Sequence, residues 1–206
     1  MGFYDRFILP PLLNLACGAE PIGRQRALLV PQASGVVLEL GFGSGLNLPH
    51  YDRGRVSRLY ALEPSAGMLV RARRLAAASD LPVEVLAETA ETLSLGPASV
   101  DTVLVTYSLC TIPDPVTALR AARRALKPGG RLLFCEHGRA PDAAVLRTQT
   151  RVEPVWKHIA GGCHLTRDIP ALILEAGFKV EKLDSMYLPG TPGWAGFNYW
   201  GDARPA

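Results

Sequence analysis

The chain has 206 residues, of which 48% are hydrophobic and 20% are charged. This length suits one domain with a real core, and the composition excludes a disordered chain. The formal net charge of +3 is too small to indicate a nucleic-acid partner, so we expect none.

The cysteines are scattered along the chain and form no C-x-x-C pair. They are Cys17, Cys110, Cys135 and Cys163. Their spacing argues against a disulfide framework and against a structural zinc ribbon. A reducing, cytoplasmic location is therefore the expected setting.

The N-terminal region contains a short apolar segment, residues 7–16, with two prolines in it. It is too short to span a bilayer and lacks the basic leader and cleavage-like end of a signal peptide. We expect it to be an amphipathic cover on the domain, with peripheral contact to a membrane as the alternative. Tyr4 and Asp5 precede this segment, and they either close over a bound ligand or shield apolar surface.

Apolar runs alternate with amphipathic segments in the first part of the chain. Strands are predicted at 36–40, 58–63, 83–86 and 100–106. Ser65 is the predicted N-cap of a helix that runs to about Ser79. Asp114 and Pro115 begin the next helix, which the KPGG segment at 127–130 ends.

The second part of the chain continues the alternation. A strand at 131–136, a helix at 142–158, a short helix at 168–176, a strand at 178–186 and an apolar run at 194–200 are predicted. The last run follows a Pro/Gly-rich turn and suits an antiparallel partner strand. The pattern predicts an α/β fold with a mainly parallel sheet, and the lack of a repeat or linker predicts one domain over 1–206.

A glycine loop with Gly41, Gly43 and Gly45 directly follows the first predicted strand. In open α/β sheets, ligands bind beyond the carboxyl ends of the strands, and glycines let main-chain N–H groups approach them. The dinucleotide fingerprint G-x-G-x-x-G would need a glycine where Leu46 stands. The spacing therefore disfavours a pyrophosphate ligand.

Two carboxylates flank this loop. Glu39 stands two residues before Gly41, where it repels a pyrophosphate but attracts an ammonium or sulfonium group. Glu63 ends the second strand, where it can accept from both hydroxyls of a ribose; an ordinary strand-end charge is the alternative. Together the E-x-G-x-G-x-G pattern and this second carboxylate describe a pocket for S-adenosylmethionine.

The chain resembles the class I S-adenosylmethionine-dependent methyltransferases over nearly its whole length. Four segments occur in the order of that family: ELGFGSG, ALEPS, AETAETL and ALKPGGRLLF. The resemblance implies a single-domain, Rossmann-like, seven-stranded sheet of order 3-2-1-4-5-7-6, with strand 7 antiparallel and helices on both faces. It also implies a helical cover at 1–30, a cofactor-binding half at 31–140 and an acceptor-side half at 141–206.

The same resemblance implies where the cofactor binds. The three glycines pack against its methionine moiety, Glu63 binds its ribose, and the turn at 88–90 lies beside adenine, with Thr89 where the family often has an aspartate. The end of the fourth strand lies under the cofactor and faces the acceptor. The implied cofactor-binding residues are Tyr4, Glu39, Gly41, Gly43, Gly45, Asn47, Glu63, Pro64, Met68, Glu88, Thr89, Ala90, Thr106, Tyr107 and Ser108.

The methyl acceptor is less well defined. Nucleobase-amine enzymes of this fold usually carry an N/D-P-P-Y/F/W tetrapeptide where this chain has TYSLCTIPDP, so a nucleobase is disfavoured. The segments YSLCTIPDP, KPGGRLLFCEH and WKHIAGGCHLTRD are similar to thiol S-methyltransferases, which are related to quinone and phospholipid methyltransferases.

That similarity implies a small, partly apolar acceptor, with a thiol as the first choice. N- or O-methylation of a phospholipid head group, a quinone or another small metabolite is the alternative. A protein that binds S-adenosylmethionine without catalysis is a further alternative.

The candidate catalytic residues are His137, Tyr107 and His164. His137 follows Glu136 at the ligand-facing end of the fifth strand, where it either orients or deprotonates an acceptor or bonds to Glu136 or the backbone. The candidate acceptor-binding residues are Cys110, His137, His158, His164, Trp194 and Tyr199. Core packing is the alternative for the cysteine and the aromatic residues.

Mixed cysteine and histidine ligation is also suited to zinc. Residues of the suitable types are Cys110, His137, His158, Cys163 and His164. Their spacing matches no local zinc signature, so we expect no metal.

Overall fold

The computed structural model describes residues 9–206. The predicted roles of Tyr4 and Asp5 fall outside the described residues. The helices are α1 (Leu9–Cys17), α2 (Glu20–Leu29), α3 (Ala66–Ala77), α4 (Pro115–Ala125), α5 (Ala143–Ile159), α6 (Ile169–Glu175) and α7 (Gly193–Gly196). The strands are β1 (Gly35–Leu40), β2 (Val56–Leu62), β3 (Val83–Leu86), β4 (Val100–Thr106), β5 (Leu126–His137), β6 (Phe178–Tyr187) and β7 (Phe197–Pro205).

These strands form one seven-stranded sheet in the order β3-β2-β1-β4-β5-β7-β6. Strands β1 to β5 pair in parallel, and β7 is antiparallel to both β5 and β6. The predicted α/β class and the strand order implied by the resemblance are confirmed. The order of the strands in the sheet reverses between β1 and β4. The carboxyl ends of these two strands therefore border the crevice in which such sheets bind ligands.

The apolar sequence of β4 follows from its central place in the sheet. Successive side chains of a strand point to opposite faces. Val103 and Val105 pack in the hydrophobic cluster that includes residues of α4 and α6, whereas Leu104 packs in the cluster that includes Leu29 of α2 and Ala72 of α3. Both faces of the strand are therefore covered by helices, and every residue from Thr102 to Thr106 is buried.

Two predicted element boundaries are wrong. Residues 127–130 do not simply end a helix, because α4 stops at Ala125 and β5 already begins at Leu126, opposite Val100 of β4. The predicted last strand at 194–200 starts too early and ends too soon. Gly193–Gly196 forms a helical turn, and β7 extends to Pro205 because it pairs with a strand on each side.

The two predicted helix caps differ in outcome. Asp114 caps α4 as expected, since its Oδ1 accepts a hydrogen bond from the backbone N–H of Thr117 at 3.0 Å. Ser65 occupies the N-cap position of α3 but makes no side-chain cap bond. Instead its backbone N–H donates to Glu63 Oε1 at 2.8 Å, which fixes the carboxylate at the end of β2.

The two N-terminal helices differ in how they meet the sheet. Helix α2 buries Gln25, Arg26 and Leu29. Helix α1 leaves Leu12 46% and Leu15 75% exposed. Among residues 9–206, no helix combines the length and the hydropathy that crossing a bilayer requires.

Gly201 is a position where β6 and β7 approach too closely for a side chain. A Cβ there would lie 1.9 Å from the carbonyl oxygen of Lys182 and 3.2 Å from the ring of Phe134. We expect Gly201→Ala to lower the free energy of unfolding by about 1–3 kcal/mol, because the added methyl overpacks a backbone contact. Urea denaturation of the full chain measures this change.

Gly23→Ala is the matched control for that substitution. No atom lies within 4 Å of a Cβ built at Gly23, and the residue lies inside α2. Alanine stabilises a helix interior by about 1 kcal/mol relative to glycine, so this variant should unfold at the same or a higher urea concentration. If both variants had wild-type stability, the tight contact at Gly201 would be refuted.

Candidate functional site

The three glycines of the loop after β1 are required for different reasons. All three have positive φ, at 76° for Gly41, 57° for Gly43 and 73° for Gly45. A Cβ at Gly41 would lie 2.2 Å from Ser108 Oγ, and one at Gly45 would lie 2.9 Å from Leu75 Cδ1. A Cβ at Gly43 would meet only the Gly41 carbonyl oxygen, at 3.9 Å. The loop is therefore packed at its ends and open at its centre, where a ligand can approach the backbone.

Glu63 stands beside this opening. Its Oε2 accepts from the backbone N–H of Gly43 at 2.7 Å, and its Oε1 accepts from Ser65. Burial raises the pKa of Glu63 despite these two hydrogen bonds. Of the nearby residues implied by the resemblance, Met68 is partly buried in the first turn of α3, and Pro64 is exposed. The carboxylate is thus held at the rim of the open part of the loop.

Glu39 lies beneath the loop and is buried. Its Oε1 accepts from Asn47 Nδ2 at 2.9 Å, and its Oε2 accepts from the Tyr51 hydroxyl at 2.6 Å. Asn47 Nδ2 also donates to Thr106 Oγ1 at 2.9 Å, which connects the loop to the end of β4. Burial raises the pKa of Glu39 to about 7. This carboxylate supports the loop from inside, with both of its oxygens bonded to neighbouring side chains.

Arg26 of α2 completes this buried network, and the sequence analysis missed it. Its Nη1 donates to Asn47 Oδ1 and to Thr106 Oγ1, both at 2.6 Å, and its guanidinium lies 5.1 Å from the ring centroid of Tyr107. Its buried Nε has no hydrogen-bond partner among the described residues. The sequence did carry a signal for Arg26. It stands four residues before the apolar Val30, and positions four apart lie on the same face of a helix, so the charge is expected on the inner, apolar face.

Tyr107 follows β4 in a backbone conformation that is rare for a non-glycine residue, with φ of 51°. Its backbone N–H donates to the Cys135 carbonyl oxygen at 2.9 Å, and the Cys135 thiol donates to its hydroxyl at 3.4 Å. Burial raises the pKa of Tyr107 well above its usual value, so the phenol stays protonated. Unusual backbone conformations of this kind concentrate at functional sites, and here the residue turns the chain over the carboxyl end of the sheet.

The turn expected beside adenine is closed by its own hydrogen bonds. Glu88 accepts from the backbone N–H of Ser94 at 2.9 Å and from its hydroxyl at 2.7 Å. The hydroxyls of Thr89 and Thr92 lie 3.0 Å apart, and Ala90 is buried. The side chains at 88 and 89 thus shape this turn.

On the other side of the β4 carboxyl end, a thiol–imidazole cluster forms from Cys110, His137 and Cys163. One ligand atom from each of these three residues lies within 4.8 Å of the other two. His137 Nε2 is 3.0 Å from Cys163 Sγ, and Trp156 Nε1 donates to the same sulfur at 3.2 Å. The Trp156 ring meets Trp194 edge to face at a centroid distance of 5.2 Å. Sulfur, imidazole and indole groups therefore lie together in one partly buried site.

The electrostatics of the thiol–imidazole cluster favour a thiolate at Cys163. The hydrogen bond from Cys110 and the adjacent His137 lower the pKa of Cys163, although burial opposes them. The same hydrogen bond and burial raise the pKa of Cys110. Burial lowers the pKa of His137, but Cys163 and the charge of Glu136 outweigh it, so the net pKa is raised.

Glu136 joins the thiol–imidazole cluster to the glycine loop. Its buried Oε1 accepts from the backbone N–H groups of Ser108 at 2.7 Å and Leu109 at 3.1 Å. Burial raises the pKa of Glu136 to about 7. Ser108 in turn packs against Gly41, so the turn that carries Cys110 touches the glycine loop.

The remaining candidate residues lie around the cluster rather than in it. His164 Nδ1 is 3.1 Å from Glu153 Oε1, which holds the loop after α5 against that helix. His158 is exposed, and its ring bonds within α5. The Tyr199 hydroxyl donates to the Arg139 carbonyl oxygen at 2.6 Å.

Comparison with known proteins is consistent with this arrangement. A family model described as a methyltransferase domain matches residues 38–134, from the interior of β1 to the interior of β5. Thiol S-methyltransferase TMT1B of Rattus norvegicus is 34% identical over 152 residues, which are 72% of this chain and 62% of the relative. The chain thus spans about three fifths of the length of that relative.

A second relative, a phosphatidylethanolamine N-methyltransferase of Cereibacter sphaeroides, is 32% identical over 140 residues, which are 66% of this chain and 68% of the relative. Among solved structures, a SAM-dependent methyltransferase of Leishmania major superposes with a TM-score of 0.71 at 18% identity, covering 98% of this chain and 80% of that one. The structural match supports the fold alone. The sequence matches, taken with the strand order and the glycine loop, show that the chain belongs to the class I S-adenosylmethionine-dependent methyltransferases.

Proposed function

We propose that this chain transfers a methyl group from S-adenosylmethionine to a small, partly apolar thiol. The observation that carries the proposal is the thiol–imidazole cluster of Cys110, His137 and Cys163. The turn after β4 carries Cys110 and contacts the glycine loop through Ser108 and Gly41. Bound S-adenosylmethionine supplies an electrophilic methyl group on a sulfonium sulfur. The role of the protein is to bind this donor, to orient the acceptor and to stabilise the reactive form of the acceptor.

The residues around the glycine loop fit this cofactor. The open space at Gly43 admits its methionine moiety, and Glu63 stands where a carboxylate can accept from ribose hydroxyls. Arg26 provides a buried positive charge, and its Nε is a donor without a partner among the described residues. That charge suits the carboxylate of the methionine moiety. Glu39 acts in the proposal by supporting the loop from beneath.

The thiol–imidazole cluster and the tryptophans beside it fit a thiol acceptor. A methyl transfer of this kind is an in-line displacement, and holding the two reactants close and aligned lowers its barrier. A free thiol loses its proton at a pH of about 8.5, so a nearby imidazolium is sufficient to favour the thiolate at neutral pH. Although burial lowers it, Cys163 and the charge of Glu136 raise the pKa of His137, which favours that cation in the metal-free protein. Trp156 and Trp194 offer apolar surface for the alkyl part of the acceptor.

The other two candidate catalytic residues have lesser roles in this proposal. Because burial keeps Tyr107 protonated, its hydroxyl can orient groups but cannot act as a base. His164 is a positioning residue, since its ring bonds Glu153 and its backbone N–H donates to the Cys110 carbonyl oxygen at 2.8 Å. It thereby helps to set the distance between Cys110 and Cys163.

A specific observation favours a rival acceptor, the amine of a phospholipid head group. One relative is a phosphatidylethanolamine N-methyltransferase, and the exposed Leu12 and Leu15 on α1 would suit contact with a lipid surface. The thiol is preferred because the cluster supplies sulfur and imidazole groups at the acceptor side.

A panel of acceptors tests the proposal directly. The full chain is incubated with S-adenosylmethionine and, separately, with alkyl thiols, amines, phenols or phosphatidylethanolamine vesicles. We expect S-adenosylhomocysteine and a methyl thioether, quantified by mass spectrometry, from the thiols. Product from the amines or vesicles alone would replace the thiol with the rival acceptor.

The cofactor site is tested at Gly43. We expect Gly43→Val to weaken S-adenosylmethionine binding at least about tenfold, because its side chain fills the open part of the loop. Gly129→Val is the matched control, since Gly129 also has positive φ, at 80°, with no atom within 4 Å of an added Cβ. Titration calorimetry of both folded variants gives the two affinities. A wild-type affinity for the Gly43 variant would place the cofactor elsewhere.

The role of His137 is tested by substitution. We expect His137→Ala to reduce turnover of the thiol by about 100-fold or more, with unchanged cofactor affinity, because it removes the imidazole that favours the thiolate. The proposal assigns no role to the exposed His158, so His158→Ala should keep the wild-type rate. Steady-state kinetics and calorimetry separate the two effects. Wild-type turnover by the His137 variant would reduce this residue to a structural role.

A further inference from the structure

The thiol–imidazole cluster brings together residues that are far apart in the sequence. Cys110 lies in the turn after β4, His137 ends β5, and Cys163 lies in the loop after α5. The expectation of no metal was based on local spacing, which does not register a site assembled from three separate elements. Their three potential ligand atoms lie within 4.8 Å of one another.

The distances within the cluster are close to those of a zinc site. Zinc binds sulfur at about 2.3 Å and imidazole nitrogen at about 2.0–2.1 Å, so tetrahedral ligands stand about 3.5–3.8 Å apart. The separation of 3.0 Å between His137 Nε2 and Cys163 Sγ, and the limit of 4.8 Å for all three, need only small side-chain movements to reach that geometry. Two thiolates and one imidazole are also a ligand set that zinc favours.

The charge of the thiol–imidazole cluster also suits a divalent cation. Two thiolates balance the charge of one zinc ion, which lowers the cost of keeping them out of water. The buried carboxylate of Glu136 lies close enough to act electrostatically on Cys110 and His137, and its Oε2 has no hydrogen-bond partner among the described residues. Trp156 Nε1 donates to Cys163 Sγ at 3.2 Å, a contact that stabilises a metal-bound thiolate from its outer side.

The backbone that carries Cys110 is fixed by hydrogen bonds from two sides. Glu136 accepts from the N–H groups of the turn, and Arg167 donates to the carbonyl oxygens of Leu109 and, at 2.7 Å, of Ile112. The His164 N–H donates to the Cys110 carbonyl oxygen at 2.8 Å, which joins this turn to the loop of Cys163.

The loop that carries Cys163 is fixed as well. Glu153 of α5 accepts from the N–H and the hydroxyl of Thr166, both at 2.7 Å, and contacts His164 Nδ1 at 3.1 Å. Ligands held on such fixed elements form a preorganised metal site.

We propose that Cys110, His137 and Cys163 form a three-ligand zinc site whose fourth position receives the sulfur of the acceptor thiol. This use of the metal rests on the thiol acceptor proposed above, whereas the site itself does not. On binding, the acceptor S–H bond breaks, its proton passes to water, and a sulfur–zinc bond forms. The acceptor sulfur then attacks the methyl carbon, the carbon–sulfonium bond breaks with its electron pair going to the sulfur of S-adenosylhomocysteine, and the neutral thioether leaves the metal.

Metal binding is tested without any acceptor. The full chain, reduced and stripped with a chelator, is titrated with zinc in competition with a chromophoric chelator, and with Co²⁺ to record thiolate-to-metal charge-transfer absorption. We expect one ion per chain. Each of Cys110→Ser, Cys163→Ser and His137→Gln should weaken zinc binding by at least about tenfold, since each removes a ligand.

Cys135→Ala and His158→Gln are the matched controls for metal affinity, because neither side chain belongs to the cluster, and both should bind zinc as the wild type does. Should a ligand variant fail to fold, a second measurement replaces it: zinc should slow the alkylation of Cys110 and Cys163 in the wild type, as read by peptide mass spectrometry. Absence of zinc binding by the reduced wild type would overturn the site, and so would affinity unchanged in all three ligand variants. A Cys110–Cys163 disulfide in air, with no zinc affinity after reduction, would overturn it in favour of a redox pair.

The catalytic use of the metal has its own readout. We expect the stripped protein to lose thiol methylation and to regain it with one equivalent of zinc, while its affinity for S-adenosylmethionine stays unchanged by calorimetry. Full thiol methylation without zinc would overturn the role of the metal in activating the acceptor. A lack of thiol product in both forms, with zinc still bound, would instead contradict the proposed function.

Discussion

The buried carboxylate of Glu39 is the constraint on which the rest of the site depends. Without water around it, a carboxylate needs hydrogen-bond donors and a positive charge nearby. Asn47 and Tyr51 donate to its two oxygens, and Arg26 adds its charge through Asn47. Burial raises the pKa of Glu39 from 4.5 to about 7, so the folded state holds this proton more tightly than the unfolded chain. Its contribution to stability is therefore present below about pH 4.5 and is lost as the pH rises through about 7. Helix α2, the glycine loop and β4 are coupled by this one network.

Glu136 has the corresponding place beside the thiol–imidazole cluster. Its carboxylate fixes the turn after β4, which carries Ser108 toward Gly41 and Cys110 toward His137. The cofactor loop and the thiol–imidazole cluster thus share one short, firmly bonded segment. In the proposed methyl transfer, the alignment of donor and acceptor decides the rate, and a segment that supports both sites contributes to that alignment.

The features that could be predicted from the sequence depend on residues close together in the chain or on a pattern repeated along it. The alternating apolar runs, the glycine spacing and the Asp114 cap all act within a few residues, and the structure confirms the fold they indicate. The end of β7 was wrong because its length depends on pairing with two strands from elsewhere in the chain. Arg26 was missed because its partners lie up to 80 positions away. The approach of Cys163 to His137, 26 positions away, depends equally on the folded chain and on no local motif.

The family match and the thiol–imidazole cluster cover different parts of the chain. The matched methyltransferase domain covers residues 38–134, which include Cys110 but end before His137 and Cys163. Both oxygens of Glu153 are already bonded by His164 and Thr166, whereas Glu136 Oε2 has no hydrogen-bond partner among the described residues. The same side of the sheet carries the thiols and the imidazole of the thiol–imidazole cluster. The thiol proposed as the acceptor therefore rests on the sulfur and imidazole groups of the cluster, and not on a lack of free carboxylate oxygens nearby.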